Sequence, residues 1–235
     1  MLRQNVFRPL EDLSTDCNEE RFLEKRIMNG VVEKWEPDSS SVEFFILKGS
    51  IPQVIAFVEK FLYQTQPEPA LKLWDYALNE LEFALCPAST KYHLCQPGGL
   101  LRHSCLVMTN MIKLLDAFPA FGINKSEAIF SAVFHDLGKT GFGKDNPRYT
   151  LKVESIGDKT EYDYNNGVIA MSIPSLSLYH ISKFLLVPPH VYQAIMYHDG
   201  QYVPESHWVK QKEHPLTVLL HHADYLAGRM EVGWI

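Results

Sequence analysis

Apolar positions recur at helical spacing along most of the chain, and the interruptions fall at proline, glycine or asparagine. In the first 95 residues, Ser50 is placed to cap a helix running to about Tyr63. A second helix is expected after Pro67 and Pro69, where Leu71, Trp74, Leu78, Leu81 and Leu85 follow the helical period. The stretch from Val31 to Leu47 mixes β-branched runs with a Pro37-Asp38-Ser39 turn and predicts no single element. Beyond Pro97-Gly98-Gly99, a helix is expected from about Leu100 to Ala117, with His103, Val107, Asn110 and Leu114 on one stripe. The next opens at Asn124 with Glu127 in capping-box register, packs Ile129, Phe130, Val133 and Phe134, and is expected to stop at Gly138, leaving His135-Asp136 in its last turn. Alternation in Thr150 to Glu154 and in Glu161 to Tyr164, around Gly157-Asp158, predicts a β-hairpin. Pro188-Pro189 opens a helix with Val191, Ala194, Ile195 and His198 on one face before Gly200, and Pro215 opens another with Leu216, Leu220, Asp224 and Ala227 in line. The expected architecture is all-α: a helical region over residues 1–95 packing on a helical bundle over 96–235 that carries a small β-hairpin.

Five polar residues break this pattern. A carboxylate such as Asp224 on an apolar stripe costs several kcal/mol unless a cation or hydrogen-bond donors meet it. His103, His135-Asp136 and His198 also lie on or beside apolar faces, on other helices. Imidazole and carboxylate side chains converging from separate helices suggest a metal centre in a bundle interior. The mixed nitrogen and oxygen set suits Mn, Fe, Co, Ni or Zn better than Ca, with Mg less favoured.

Composition narrows the classes. In 235 residues, 28 Asp and Glu outnumber 22 Lys and Arg, for a formal charge of −6. An acidic chain is a poor match for the phosphate backbone of nucleic acid, so a polymeric partner is not favoured. No apolar run approaches the roughly 18 residues of a membrane span, and the N-terminal letters hold no secretory pattern. Cys17, Cys86, Cys95 and Cys105 show no CxxC spacing, so neither a zinc knuckle nor a disulfide framework is indicated, and a cytoplasmic location is expected.

Four segments occur in order: Gly99-Leu100-Leu101-Arg102-His103-Ser104, Phe134-His135-Asp136-Leu137-Gly138-Lys139, Tyr197-His198-Asp199-Gly200 and His222-Ala223-Asp224. Together, over roughly residues 97 to 230, they resemble the HD superfamily of metal-dependent phosphohydrolases. The resemblance implies an HD-like bundle, metal ligation by His103, His135, Asp136 and Asp224, and hydrolysis of a nucleotide or related phosphoester by metal-activated water. It implies catalytic roles for Asp136, which holds or deprotonates the water, and for Lys139, which stabilises phosphoryl charge; a solvated Lys at a helix C-terminus is the plain alternative. His198 is either a substrate contact, an outer partner or a further ligand, or a histidine satisfied by a carbonyl. HD enzymes with two metals carry an extra histidine after the hairpin. Residues 165–174 have none, and His180 sits among packing residues, so one ion is expected rather than two.

Arg102, Lys144 and Arg148 are candidate substrate contacts, with Arg229 beside them, because a phosphate needs cations nearby. Tyr149, Tyr162, Tyr164, Tyr192 and Tyr202 could stack on a base or simply cover the surface. His93, His190, His207 and His214 read as loop or capping residues, and His221 and His222 flank the Asp224 stripe. The alternatives to a nucleotide phosphohydrolase are a 3′-to-5′ exonuclease on single strands and a non-catalytic nucleotide-binding module. Self-association through the N-terminal helices is a further expectation left open.

Overall fold

A computed structural model describes residues 42–152 and 161–232, with the backbone of Arg8–Pro9. The chain is mostly helical. Strand β1 (Arg8–Pro9) is followed by helices α1 (Val42–Lys48), α2 (Ile51–Thr65), α3 (Glu68–Asn79), α4 (Gly99–Ala117) and α5 (Lys125–Phe134). Strands β2 (Tyr149–Leu151) and β3 (Tyr162–Tyr164) come next, then α6 (Ile173–Ser182), β4 (Leu185–Leu186), α7 (Pro189–Met196) and α8 (Pro215–Glu231). The β2–β3 pair is the expected hairpin, antiparallel with Tyr149 opposite Tyr164 and Leu151 opposite Tyr162. Its expected Gly157-Asp158 turn, like the Val31 to Ser41 stretch, lies outside the described residues. Strand β1 pairs antiparallel with β4.

Helix α4 is the central rod, and its length follows from eleven buried residues along 19 positions. It packs on α8, α5, α2 and α1. Helices α1 to α3 share its core: Ile46, Val58, Leu62 and Trp74 join Leu101, Met108, Phe134 and Leu220 in one cluster. Trp74 meets Phe83 and Phe134 edge-on at 5.8 and 6.3 Å, and its indole N–H donates to buried Glu59 (3.1 Å). Burying such a ring removes a large apolar area from water at about 25 cal/mol per Å².

The helix ends depart from expectation in physically readable ways. Helix α3 stops at Asn79, short of Leu81 and Leu85, because Glu82 enters the left-handed region (φ 53°) and Phe83 N–H returns to Ala77 O (2.9 Å). Leu81 remains fully buried as part of that reversal, whereas Leu85 is exposed. Asn124 caps α5 as expected, accepting from Ser126 N–H at 2.8 Å, but Glu127 turns outward from the capping box to pair with His190 (2.9 Å). Helix α5 ends at Phe134, and a 3-10 turn over Leu137–Thr140 follows. Gly138 is therefore not a helix stop. Its role is close approach, since a Cβ there would lie 2.2 Å from Ile173 O at the start of α6. Ser177 of α6 locks this junction, its hydroxyl donating to His135 O (2.7 Å) and accepting from Gly138 N–H (2.8 Å). Gly99 plays a matching part, because a Cβ there would meet Leu94 O at 2.0 Å. The loop bearing His93 thereby folds against the start of α4.

Candidate metal centre

Three elements bring their chemistry to one point. From α4 comes His103; from the turn after α5 come His135, Asp136 and Lys139; from α8 comes Asp224. His103 Nε2 lies 3.3 Å from Asp136 Oδ2 and 3.1 Å from Asp224 Oδ1. His135 Nε2 lies 3.3 Å from Asp136 Oδ2 and 4.0 Å from Asp224 Oδ1. His198, just past α7, brings its Nε2 to 3.5 Å from Asp136 Oδ1. His103, His135, Asp136 and His198 are each at most 3% exposed, while the Asp224 side chain is 23% exposed.

The second nitrogen of each ring is already committed. His135 Nδ1 donates to Ala132 O (2.9 Å) and His198 Nδ1 to Ile195 O (2.8 Å). His103 Nδ1 meets Glu231 Oε1 at 2.7 Å. These bonds turn the Nε2 atoms inward, as outer partners do in metal sites. Among the described residues the buried Nε2 atoms of His103 and His135 make no hydrogen bond of good geometry, although carboxylate oxygens lie 3.1 to 3.3 Å away. A buried polar atom left in that state demands an explanation.

These groups could hold a metal ion, which would satisfy both atoms. Donor atoms bound at about 2.1 Å are roughly 3.0 to 3.5 Å apart in octahedral or tetrahedral shells. The His103–Asp136, His103–Asp224 and His135–Asp136 donor pairs, at 3.3, 3.1 and 3.3 Å, meet that spacing, and the His135–Asp224 pair, at 4.0 Å, is wider. His103, His135 and Asp136 form one potential ligand group, and His135, His198 and Asp224 another. Charge agrees with geometry: Asp136, Asp224 and Glu231 are three carboxylates against one ammonium, Lys139, whose Nζ is 2.6 Å from Asp136 Oδ2. The carboxylates also hold His103 and His198 above the ordinary histidine pKa against the effect of burial, so protons on these rings balance the same charge that a divalent cation would.

Burial opposes every charge in the centre, but mutual attraction wins. Asp136 is pushed up by burial yet held well below the usual carboxylate range by Lys139, His135 and His103. Burial works against the Lys139 ammonium, but Asp136 holds its pKa above the ordinary value. His198 is likewise lowered by burial but raised to about 9 by Asp136 and Asp199.

The remaining residues named from the sequence divide clearly. Arg102 is not at the centre: on another face of α4, its guanidinium donates to the carbonyls of Ile46 and Gly49 (2.8 Å to Gly49) and anchors α1. Lys144 is exposed in the turn closed by Asn146 N–H to Gly143 O. Arg148 donates to Met171 O (3.0 Å) and lies over the Tyr164 ring (5.9 Å). Neither contacts the ligand set. Arg229 does reach the neighbourhood, sharing a hollow of about 420 Å³ with Asp224, His93, Tyr92 and Tyr225. His180 is a packing residue, bonded to Gly141 O (2.8 Å) and facing the Tyr76 hydroxyl (3.3 Å). His214 caps α8 by accepting from Leu216 N–H (3.2 Å).

Two members of the centre were not expected there: His93 reads from the sequence as a loop or capping residue, and Glu231 carries no expectation. Glu231, fully buried, takes His103 on one oxygen and His93 on the other. Its signal was present: it stands seven residues, two turns, beyond Asp224 on α8. His93 comes from a loop, where no periodicity marks a side chain. No protein-family model, curated protein or solved structure matches this chain.

Proposed function

We propose that the chain is an HD-type metal-dependent phosphohydrolase that cleaves a phosphoester of a nucleotide or related compound with water as nucleophile. The observation that carries this reading is the pair of inward imidazole nitrogens facing buried Asp136 and part-exposed Asp224, with a lysine ammonium in contact. His103, His135, Asp136 and Asp224 would hold a divalent transition ion. When bound, such an ion supplies Lewis acidity toward a phosphoryl oxygen and lowers the pKa of water. Asp136 would hold and orient the nucleophile as a hydrogen-bond acceptor, since Lys139, His135 and His103 keep its carboxylate ionised and only weakly basic despite burial. Lys139, only 12% exposed, keeps its charge in a water-poor setting, where it stabilises negative charge on phosphoryl oxygens more than a solvated lysine does. His198 holds a proton at Nε2 between Asp136 and Asp199, for delivery to the leaving oxygen.

The test is chelator-treated protein reloaded with Mn, Co, Ni, Zn or Mg and assayed on nucleoside mono-, di- and triphosphates, cyclic nucleotides and a labelled single-stranded oligonucleotide. Ion-dependent release of phosphate or nucleotide that disappears in Asp136→Ala supports the reading. Retained metal without hydrolysis of any of these substrates identifies a binding module instead.

A further inference from the structure

Beyond the Asp224 hollow, on the outer side of α8, lies a second hollow of about 500 Å³. Tyr197, Tyr202, His221 and His222 contribute rings to its wall, and Glu213 and Ser206 contribute polar groups. The volume is in the range of small-molecule pockets, which combine apolar walls with a few placed polar atoms. Two of those groups have no partner among the described residues. Ser206 is 2% exposed and its hydroxyl makes no hydrogen bond. Glu213 is half-buried and enters no ion pair among the described residues.

The hollow is coupled to the metal centre by two contacts. His221 Nδ1 donates to the carbonyl of His198 (2.8 Å), so one wall is fixed to a residue of the centre. Tyr202 stacks on Tyr225 with planes 11° apart and centroids 6.2 Å apart, and Tyr225 lines the Asp224 hollow. The two depressions are thus separated by one aromatic pair.

We propose that this second hollow is a nucleobase site, and that guanine fits it best. The Tyr202 ring, 74% exposed, offers a face on which a base can stack. The Glu213 carboxylate only accepts hydrogen bonds, so it selects a base edge with adjacent N–H donors, which guanine presents at N1 and N2 and uracil does not. The proposal rests on the phosphohydrolase reading only for the identity of the phosphate bound beside it.

The experiment therefore separates the two. Chelator-treated full chain is titrated with guanosine, adenosine, cytidine and uridine, none of which carries phosphate, by calorimetry and by tryptophan fluorescence; Trp208 lies two residues from Ser206. Guanosine is expected to bind at least about tenfold more tightly than uridine. Glu213→Gln should remove that preference, and Tyr202→Ala should weaken guanosine about tenfold or more, as loss of one base stack does. Tyr202→Phe should restore binding. Absence of binding by all four nucleosides, or guanosine affinity unchanged in both Glu213→Gln and Tyr202→Ala, overturns the base site. Guanosine binding through Glu213 in a chain that hydrolyses no phosphoester supports the base site and refutes the hydrolase.

Discussion

Glu231→Gln is the sharpest perturbation of the centre, because it keeps shape and volume while changing the hydrogen-bond logic and removing one negative charge. The carboxylate accepts from His103 on Oε1 (2.7 Å) and from His93 on Oε2. An amide has one acceptor, so its NH₂ must confront one of these imidazoles. Facing His103, it forces the proton from Nδ1 to Nε2, the atom required for ligation. Loss of an outer partner of this kind costs about 10- to 100-fold in metal affinity, or roughly 1.4 to 2.7 kcal/mol. Competition against a metal-sensitive fluorescent chelator measures it, with circular dichroism checking that helix content is retained. His93→Ala, which leaves the His103 bond in place, should cost only a few-fold. Metal affinity within twofold of the parent in Glu231→Gln would refute the reasoning.

Further outcomes follow from the same contacts. His103→Ala and Asp136→Ala should each abolish turnover and reduce bound metal, whereas Lys139→Ala should lower turnover by about 10²- to 10³-fold with metal retained, the usual scale for losing one electrostatic stabiliser; metal loss in Lys139→Ala would overturn that division of roles. Ser177→Ala strands Gly138 N–H and His135 O in the core and should destabilise the fold by about 1 to 3 kcal/mol in chemical denaturation. Burial lowers the His180 pKa from 6.5 to about 4, aided by Lys183 and opposed by its bond to Gly141 O, with the Tyr76 hydroxyl on its other nitrogen. The unfolded chain therefore takes up a proton there that the folded chain refuses. Stability is fully present above about pH 6.5 and falls as pH drops toward 4, by an amount on the order of 3 kcal/mol. Denaturant midpoints in chelator should fall less steeply over that range for His180→Gln than for the parent, and parallel curves would contradict the assignment.

Much of the centre was legible because a charged group on an apolar helical stripe has few explanations. Asp224 between Leu220 and Ala227, and His103 in line with Val107, announced themselves by period alone, and both side chains reach the same point. Arg102 shows where the inference thins. One residue from His103 is about 100° around a helix, so its charge faces the α1 carbonyls instead. Helix α6 escaped the pattern because Pro174, Leu176, Ser177, Leu178, His180 and Ile181 are buried around most of its circumference, leaving no polar face to set a period. Gly138 was read as a stop because helix ends favour glycine, while its actual constraint is the Ile173 carbonyl from a segment 35 residues away. Close approaches of that kind are tertiary and leave no local mark. No described helix is long and apolar enough to cross a membrane.

Anomalous diffraction from crystals grown with Mn²⁺ probes the metal centre most directly. The expected result is a single strong peak within about 2.0 to 2.3 Å of His103 Nε2, His135 Nε2, Asp136 and Asp224, vanishing in crystals of Asp136→Ala. A peak seated elsewhere, or no peak at millimolar ion with these side chains in the arrangement described above, would contradict it.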